Sequence, residues 1–177
     1  KVFPMVNQEW TALSFLPLCH SFERTAGHNF MLYAGVTIAY AESVEKVPEN
    51  MGEVRPHIMC SVPRLYEKMY ARVNEKVAAD PPLRQKIFRW AIGVGRETFA
   101  HAVARTEPGP LLKLKFGLAD KLVFSKTKAR TGGRLQLFIS GGAPLAREIA
   151  EFFGAAGMLV CEGYGISETS PVTTCNF

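Results

Sequence analysis

Short apolar or β-branched runs alternate along this chain with longer segments of helical periodicity, and that alternation most constrains the fold. Runs at residues 12–18, 36–40, 58–62, 135–139 and 158–161 read as strands, with 171–175 as a weaker sixth. Segments 23–33, 43–54, 64–79, 83–105, 111–128 and 145–153 read as helices. Gly35 stops the first of these, and Ser43 offers an N-cap to the second. In 64–79, Leu65, Met69, Val73 and Val77 recur at four-residue steps, so one face is apolar. Pro81 and Pro82 end that helix and open the next, whose inward face is predicted to hold Leu83, Ile87, Ala91, Val94, Ala102 and Val103. Gly93 and Gly95 weaken its middle. Strand–helix–strand order at both ends predicts βαβ units, hence an α/β fold: a mostly parallel, buried sheet with flanking helices. A basic helical insertion, about residues 63–130, interrupts the pattern.

A chain of 177 residues suits one domain or part of a larger one. With 47% hydrophobic and 21% charged residues, it is neither disordered, collagenous nor a coiled coil. Its longest uncharged run, residues 25–41, includes His28, Asn29 and two glycines and falls short of a membrane span. A buried helix running into a buried strand is expected there. The first residues lack a basic end followed by an apolar stretch, so no secretory signal is read. There is no initiator Met, and Phe177 follows a strand-like stretch with no stop, so both ends are expected to be cut from a longer protein. Cys19, Cys60, Cys161 and Cys175 form no CxxC pair and no zinc spacing, which predicts buried, reduced thiols in a cytoplasmic protein.

Charge is uneven. Residues 61–135 hold 16 basic and 6 acidic side chains, a balance of +10, whereas the remainder balances to −5. Such a surface suits solvated helix faces, or peripheral attachment to an anionic membrane or partner. No nucleic-acid-binding motif accompanies it, so nucleic acid is not expected as a partner.

In open parallel sheets, ligands bind beyond the carboxyl ends of the strands. Three segments with unusual residues follow such ends: LPLCHSFER (16–24), ISGGAP (139–144) and EGYGISET (162–169). In the second, Gly141, Gly142 and Ala143 admit either a flat ligand close to the backbone or simply a tight turn before a helix. In the third, Tyr164 offers a face for stacking a base, Ser167 a hydroxyl for a phosphate oxygen, and Glu168 a hard oxygen ligand for Mg²⁺. A glycine-rich turn with polar surface residues is the alternative. The segment GISET lacks the closing glycine of a nucleophile elbow. His20, His28, His57 and His101 fit no zinc-protease spacing, and neither GxGxxG nor a Walker loop occurs.

Taken in order, these segments resemble the adenylate-forming superfamily of acyl-CoA synthetases, luciferases and peptide-synthetase adenylation domains. GYGISETSP resembles that family's G-Y-G-x-[TS]-E signature, and FISGGAPL its adenine-side turn. LSFLPLCHSFER and SVPRLYEKMYARV are similar to the forms in long-chain fatty acyl-CoA synthetases. The resemblance implies a fatty acid–CoA ligase using ATP, Mg²⁺ and CoA: the carboxylate attacks the α-phosphate, and CoA then displaces AMP. It implies that Gly142 and Ala143 line the adenine with Gly141 beside them, and that Glu162, Gly163 and Tyr164 hold the base. It further implies that Ser167 binds the α-phosphate and Glu168 the Mg²⁺, that His20 sits where carboxylate meets phosphate, and that Phe22 lies near the acyl tunnel. Ser167 stands where the family commonly has Thr, which keeps the hydroxyl and loosens its rotamer. An acyl-AMP ligase serving a carrier protein, or a non-catalytic basic module binding a membrane or partner, are the alternatives. The family's phosphate loop with its Lys, its ribose-binding Asp and its small C-terminal domain have no counterpart in these residues. The chain is therefore expected to be the central piece of the large N-terminal domain and inactive by itself.

Overall fold

A computed structural model describes residues 3, 5–169 and 171–176 of the chain. Strand β1 is Thr11–Ser14. Helix α1 opens as a π-helical stretch, Glu23–Asn29, and continues as the α-helical turn Phe30–Tyr33. Then follow β2 (Thr37–Tyr40), α2 (Val47–Val54) and β3 (Ile58–Ser61). Helices α3 (Pro63–Ala78) and α4 (Pro82–Val103) come next. Helix α5 runs through Pro110–Ala119, a π-helical turn Asp120–Phe124 and Ser125–Ala129. Strand β4 (Leu137–Ser140), α6 (Arg147–Ala155), β5 (Leu159–Tyr164) and β6 (Thr174–Cys175) complete the described order.

The sheet order is β2-β1-β3-β4-β5-β6, parallel from β2 to β5, with β6 antiparallel on β5. The chain steps outward from β1 to β2, then crosses back over β1 to β3. Right-handed crossovers on either side of such a reversal put helices on opposite faces. Two cores result. Leu13, Met59, Phe138 and Val160 project to one face, where α2–α6 cover them. Their neighbours Ala12, Ile58, Cys60, Leu137, Ile139 and Cys161 project to the other, against Phe22, Ala26 and Met31 of the α1 region.

The helix-rich face is closed by aromatic rings. Tyr66 meets Phe138 edge-on at 5.0 Å between centroids, and Phe153 packs on both. The Tyr66 hydroxyl, enclosed with the ring, donates to the Ile139 carbonyl at 3.2 Å. Residues 63–130 form α3–α5, the connection from β3 to β4.

Several sequence expectations change. The run 12–18 leaves the ladder after Ser14, where the partner strand β2 also ends at Tyr40, and Pro17 has no N–H with which to resume it. Strand β5 runs on past Cys161 to Tyr164, because β6 pairs with Gly163 and Tyr164. The predicted buried strand in residues 25–41 is instead the sheet edge, with Thr37 and Tyr40 exposed. Ser43 accepts from the Lys46 N–H at 3.3 Å in a turn ahead of α2 and does not cap the helix. In α4 only the middle faces the core: Ala91 and Val94 are buried, whereas Leu83 and Val103 are about two-thirds exposed at 69% and 68%. Gly95 has a packing reason, because a Cβ there would strike the Ala155 carbonyl of α6. Cys60 and Cys161 are buried as expected, but Cys19 is exposed and Cys175 half-buried, both lying in segments at the sheet's open end. Ser170 and Phe177, at the end of the chain, lie outside the described residues.

Candidate active site

The carboxyl ends of β1, β3, β4 and β5 lie side by side. Ser61, Ser140 and Glu162 stand in one register row, so the loops that follow emerge at the same edge of the sheet. Between β1 and β3 the crossovers diverge to opposite faces, the switch point beside which ligands bind in open parallel sheets.

The loop after β1 carries His20. A turn bonds the His20 N–H to the Pro17 carbonyl at 2.9 Å, and the Arg24 N–H donates to the His20 carbonyl at 3.1 Å. The imidazole is exposed, and its Nδ1 accepts from the Phe22 N–H at 3.2 Å. With Nδ1 an acceptor, the neutral ring carries its proton on Nε2, so that atom is a donor free to meet an oxyanion. Phe22 turns the other way and is buried on the face of α1.

The turn after β4 meets this loop. A Cβ on Gly141 would lie 2.7 Å from the Phe22 ring, so only glycine lets the two loops approach. Gly142 follows at φ +83°, in the left-handed region that glycine adopts without strain. Gly142 and Ala143 are exposed and Gly141 is buried. Glu162 is occupied elsewhere: its Oε1 accepts from the Leu145 N–H at 3.0 Å and ties the β4–α6 turn to β5. Its carboxylate is therefore committed to holding the β4–α6 turn.

Tyr164 ends β5 with 69% of its surface exposed, leaving a ring face for stacking. Its carbonyl accepts from the Thr173 N–H at 2.8 Å, and Gly163 and Tyr164 pair with β6, so the backbone under the ring is fixed on both sides. Ser167 and Glu168 lie in a single 3₁₀ turn, Ser167–Thr169, both exposed. The Ser167 and Ser21 hydroxyls are 3.0 Å apart, which joins the loop after β5 to the loop after β1.

The predicted residues thus collect at one edge from three loops. Glu168 is a lone carboxylate: among the described residues no group of three or more His, Cys, Asp or Glu side chains could hold a metal. That donor set fits Mg²⁺, which takes one or two protein carboxylates and completes its shell with phosphate oxygens and water. A separate cavity of about 920 Å³ lies on the α1 face, lined by Thr25, Ala26, Phe30, Ile139 and Val172 among others.

Sequence reading missed Ser21, which bridges two loops, and Glu23, which is fully buried. Both lie inside LPLCHSFER, yet a Glu beside an Arg reads as surface. Only the packing of α1 against the sheet hides it. His57 is a satisfied structural histidine: Nδ1 accepts from the Thr11 N–H at 3.0 Å, and the ring stacks on Trp10. Burial, with Arg134 nearby, pushes its pKa down.

Known structures share the fold. The N-terminal domain of FACL13 from Mycobacterium tuberculosis superposes with a TM-score of 0.56 at 19% identity, covering 97% of this chain and 30% of that one. MatB from Rhodopseudomonas palustris gives 0.54 at 20% identity, covering 96% and 24%. The fold is that of the N-terminal domain of adenylate-forming enzymes. A profile of the AMP-binding enzyme family matches residues 2–177, and the chain belongs to that family. Its relatives include the long-chain-fatty-acid–CoA ligase FadD15 of Mycobacterium bovis, 33% identical over 89% of this chain and 26% of that protein. Fatty acyl-CoA synthetase A of Dictyostelium discoideum is 36% identical over 88% of this chain and 22% of its own length. The chain therefore spans about a quarter of the length of these curated relatives.

Proposed function

We propose that this chain is the central part of the large domain of a long-chain fatty acid–CoA ligase. The carrying observation is the Ser21–Ser167 hydrogen bond, which joins the histidine loop to the hydroxyl–carboxylate turn at the carboxyl edge of the sheet. In this reading Tyr164 stacks on adenine, and the Gly141–Gly142–Ala143 backbone flanks it. Ser167 and the His20 Nε2–H donate to the α-phosphate oxygens. A fatty carboxylate oxygen attacks the α-phosphorus, forming the acyl–phosphate bond as pyrophosphate leaves. The CoA thiolate then attacks the acyl carbonyl and AMP leaves. Fixed donors aimed where charge builds lower both barriers. Mg²⁺ held by Glu168 supplies charge neutralisation at the phosphates. The cavity beneath α1 is of a size and apolarity suited to an acyl chain.

The test is ATP–pyrophosphate exchange with a long-chain fatty acid in the complete ligase. Ser167→Ala and Glu168→Gln are each expected to lower kcat about a hundredfold or more. Exchange unchanged in both would overturn the assignment. The isolated 177-residue chain is expected to yield no acyl-AMP. Offering CoA and a phosphopantetheinyl carrier protein in parallel separates a CoA ligase from an acyl-AMP ligase.

A second reading concerns the basic helical section. Leu111, Leu114, Leu118 and Leu122 form an exposed stripe along α5, beside Lys115, Lys121 and Lys126. Apolar side chains flanked by lysines suit the surface of an anionic membrane. Among the described residues no helix is long and apolar enough to cross one. Sedimentation with acidic liposomes at low and high salt tests the idea. Binding that salt weakens supports it, and no binding removes it.

A further inference from the structure

Glu23 is the least expected residue of the molecule. Its side chain is wholly buried at the first turn of α1, yet it is ionisable and its Oε2 has no partner. Its Oε1 accepts from the Ser14 hydroxyl at 2.5 Å. Ser14 is the last residue of β1 and Glu23 the first of α1. Everything between them is the loop that holds His20, and Pro17, Leu18, Cys19 and His20 are exposed. One enclosed side-chain hydrogen bond therefore closes the base of a loop whose far end is tied to the loop after β5 by the exposed Ser21–Ser167 pair. The surroundings are shaped for the carboxyl. A Cβ on Gly27 would fall about 2.5 Å from the carboxyl carbon and Oε1, so glycine leaves the space Glu23 fills. The two residues lie one turn apart in the π-helical stretch.

We propose that Glu23 is a positioning residue, clasping both ends of the loop through Ser14 and so setting where the His20 imidazole stands. This rests on the reading of His20 as a site residue. The clasp works with a neutral carboxyl. A carboxylate has about four lone-pair sites and needs several donors, and here Ser14 supplies one. Burial accordingly raises the Glu23 pKa to about 7, against the lowering effects of Ser14 and of His28 on the same helix. The other ionisable groups that sense it are Cys60 on β3 and Tyr66 on α3, both pushed well up by their own burial and so neutral near pH 7. When Glu23 ionises, an unsatisfied buried charge favours opening of the first turn of α1, and the histidine loop loses its anchor.

The experiment is steady-state pyrophosphate exchange in the complete ligase, comparing Glu23→Gln, Glu23→Ala, Ser14→Ala and His20→Ala. Glutamine mimics the protonated acid. It is expected to hold kcat within about threefold at pH 6, with its advantage over the wild type growing about threefold or more by pH 8. Alanine at 23 or 14 is expected to lower kcat about tenfold while KM for ATP changes little. Glu23→Gln and Ser14→Ala keep the test decisive if Glu23→Ala does not fold. A Glu23→Gln to wild-type ratio that stays flat across this pH range, with His20→Ala strongly impaired, overturns the clasp and leaves His20 in the site. Normal exchange by His20→Ala overturns both.

Discussion

The two faces of the sheet are built to different ends. One is sealed by α2–α6, with Tyr66, Phe138, Phe152 and Phe153 meeting edge to face. The other has α1 alone among the described helices, a half-exposed edge strand, an open cavity and a buried carboxyl. Close-packed aromatic surface resists rearrangement, because every displaced ring forfeits many contacts at once. A face with open space forfeits less. The sealed face is the scaffold, and the open face carries the histidine loop.

Substitutions sharpen this contrast, and the largest effect belongs to the sealed face. Phe153→Ala should cost about 3–5 kcal/mol in urea unfolding, because the ring is enclosed by packed neighbours. A loss below about 1 kcal/mol would mean that face is not tightly packed.

Next comes the pH dependence of the open face. Below pH 4.5 Glu23 is protonated whether the chain is folded or not. Between 4.5 and about 7 the unfolded chain releases the proton while the folded chain keeps it, so stability falls as pH rises. The loss amounts to roughly 3 kcal/mol across that window and is complete above it. Glu23→Gln should flatten it in denaturation curves recorded along a pH series. An unchanged slope would show that Glu23 titrates normally.

Tyr66→Phe should cost about 1–2 kcal/mol, since the ring packing survives and the Ile139 carbonyl loses its donor. Thermal unfolding measures this, and no change would show that water replaces the hydroxyl. The smallest effect is expected outside both cores. Leu114→Glu, on the exposed stripe of α5, should shift stability by less than about 0.5 kcal/mol. A larger loss in the complete ligase than in this chain would mean another segment covers that stripe.

Much of this architecture was legible in the residues. Local patterns announce parallel strands and helices because side-chain direction repeats every two residues in one and every 3.6 in the other. Gly141 and Gly142 marked a turn because few other residues fit one. The errors lie where position in the sheet decides. Residues 37–40 are as apolar as a central strand but occupy the edge, and Leu83 and Val103 share the periodicity of α4 but overhang its core. A sequence pattern gives a face its polarity and does not say what stands opposite.

The sequence by itself determined the chemistry of the three loops: a histidine, a glycine turn and an aromatic–hydroxyl–carboxylate run, each behind a strand. Only the tertiary structure decided that Ser21 meets Ser167, that Phe22 rests on Gly141, and that Glu23 is enclosed against Ser14 and Gly27. Those contacts join residues as many as 146 positions apart. The first two exist because the crossovers bring the strands' carboxyl ends together, and that long-range packing is not a property of any local segment; the third exists because the first turn of α1 packs against the end of β1.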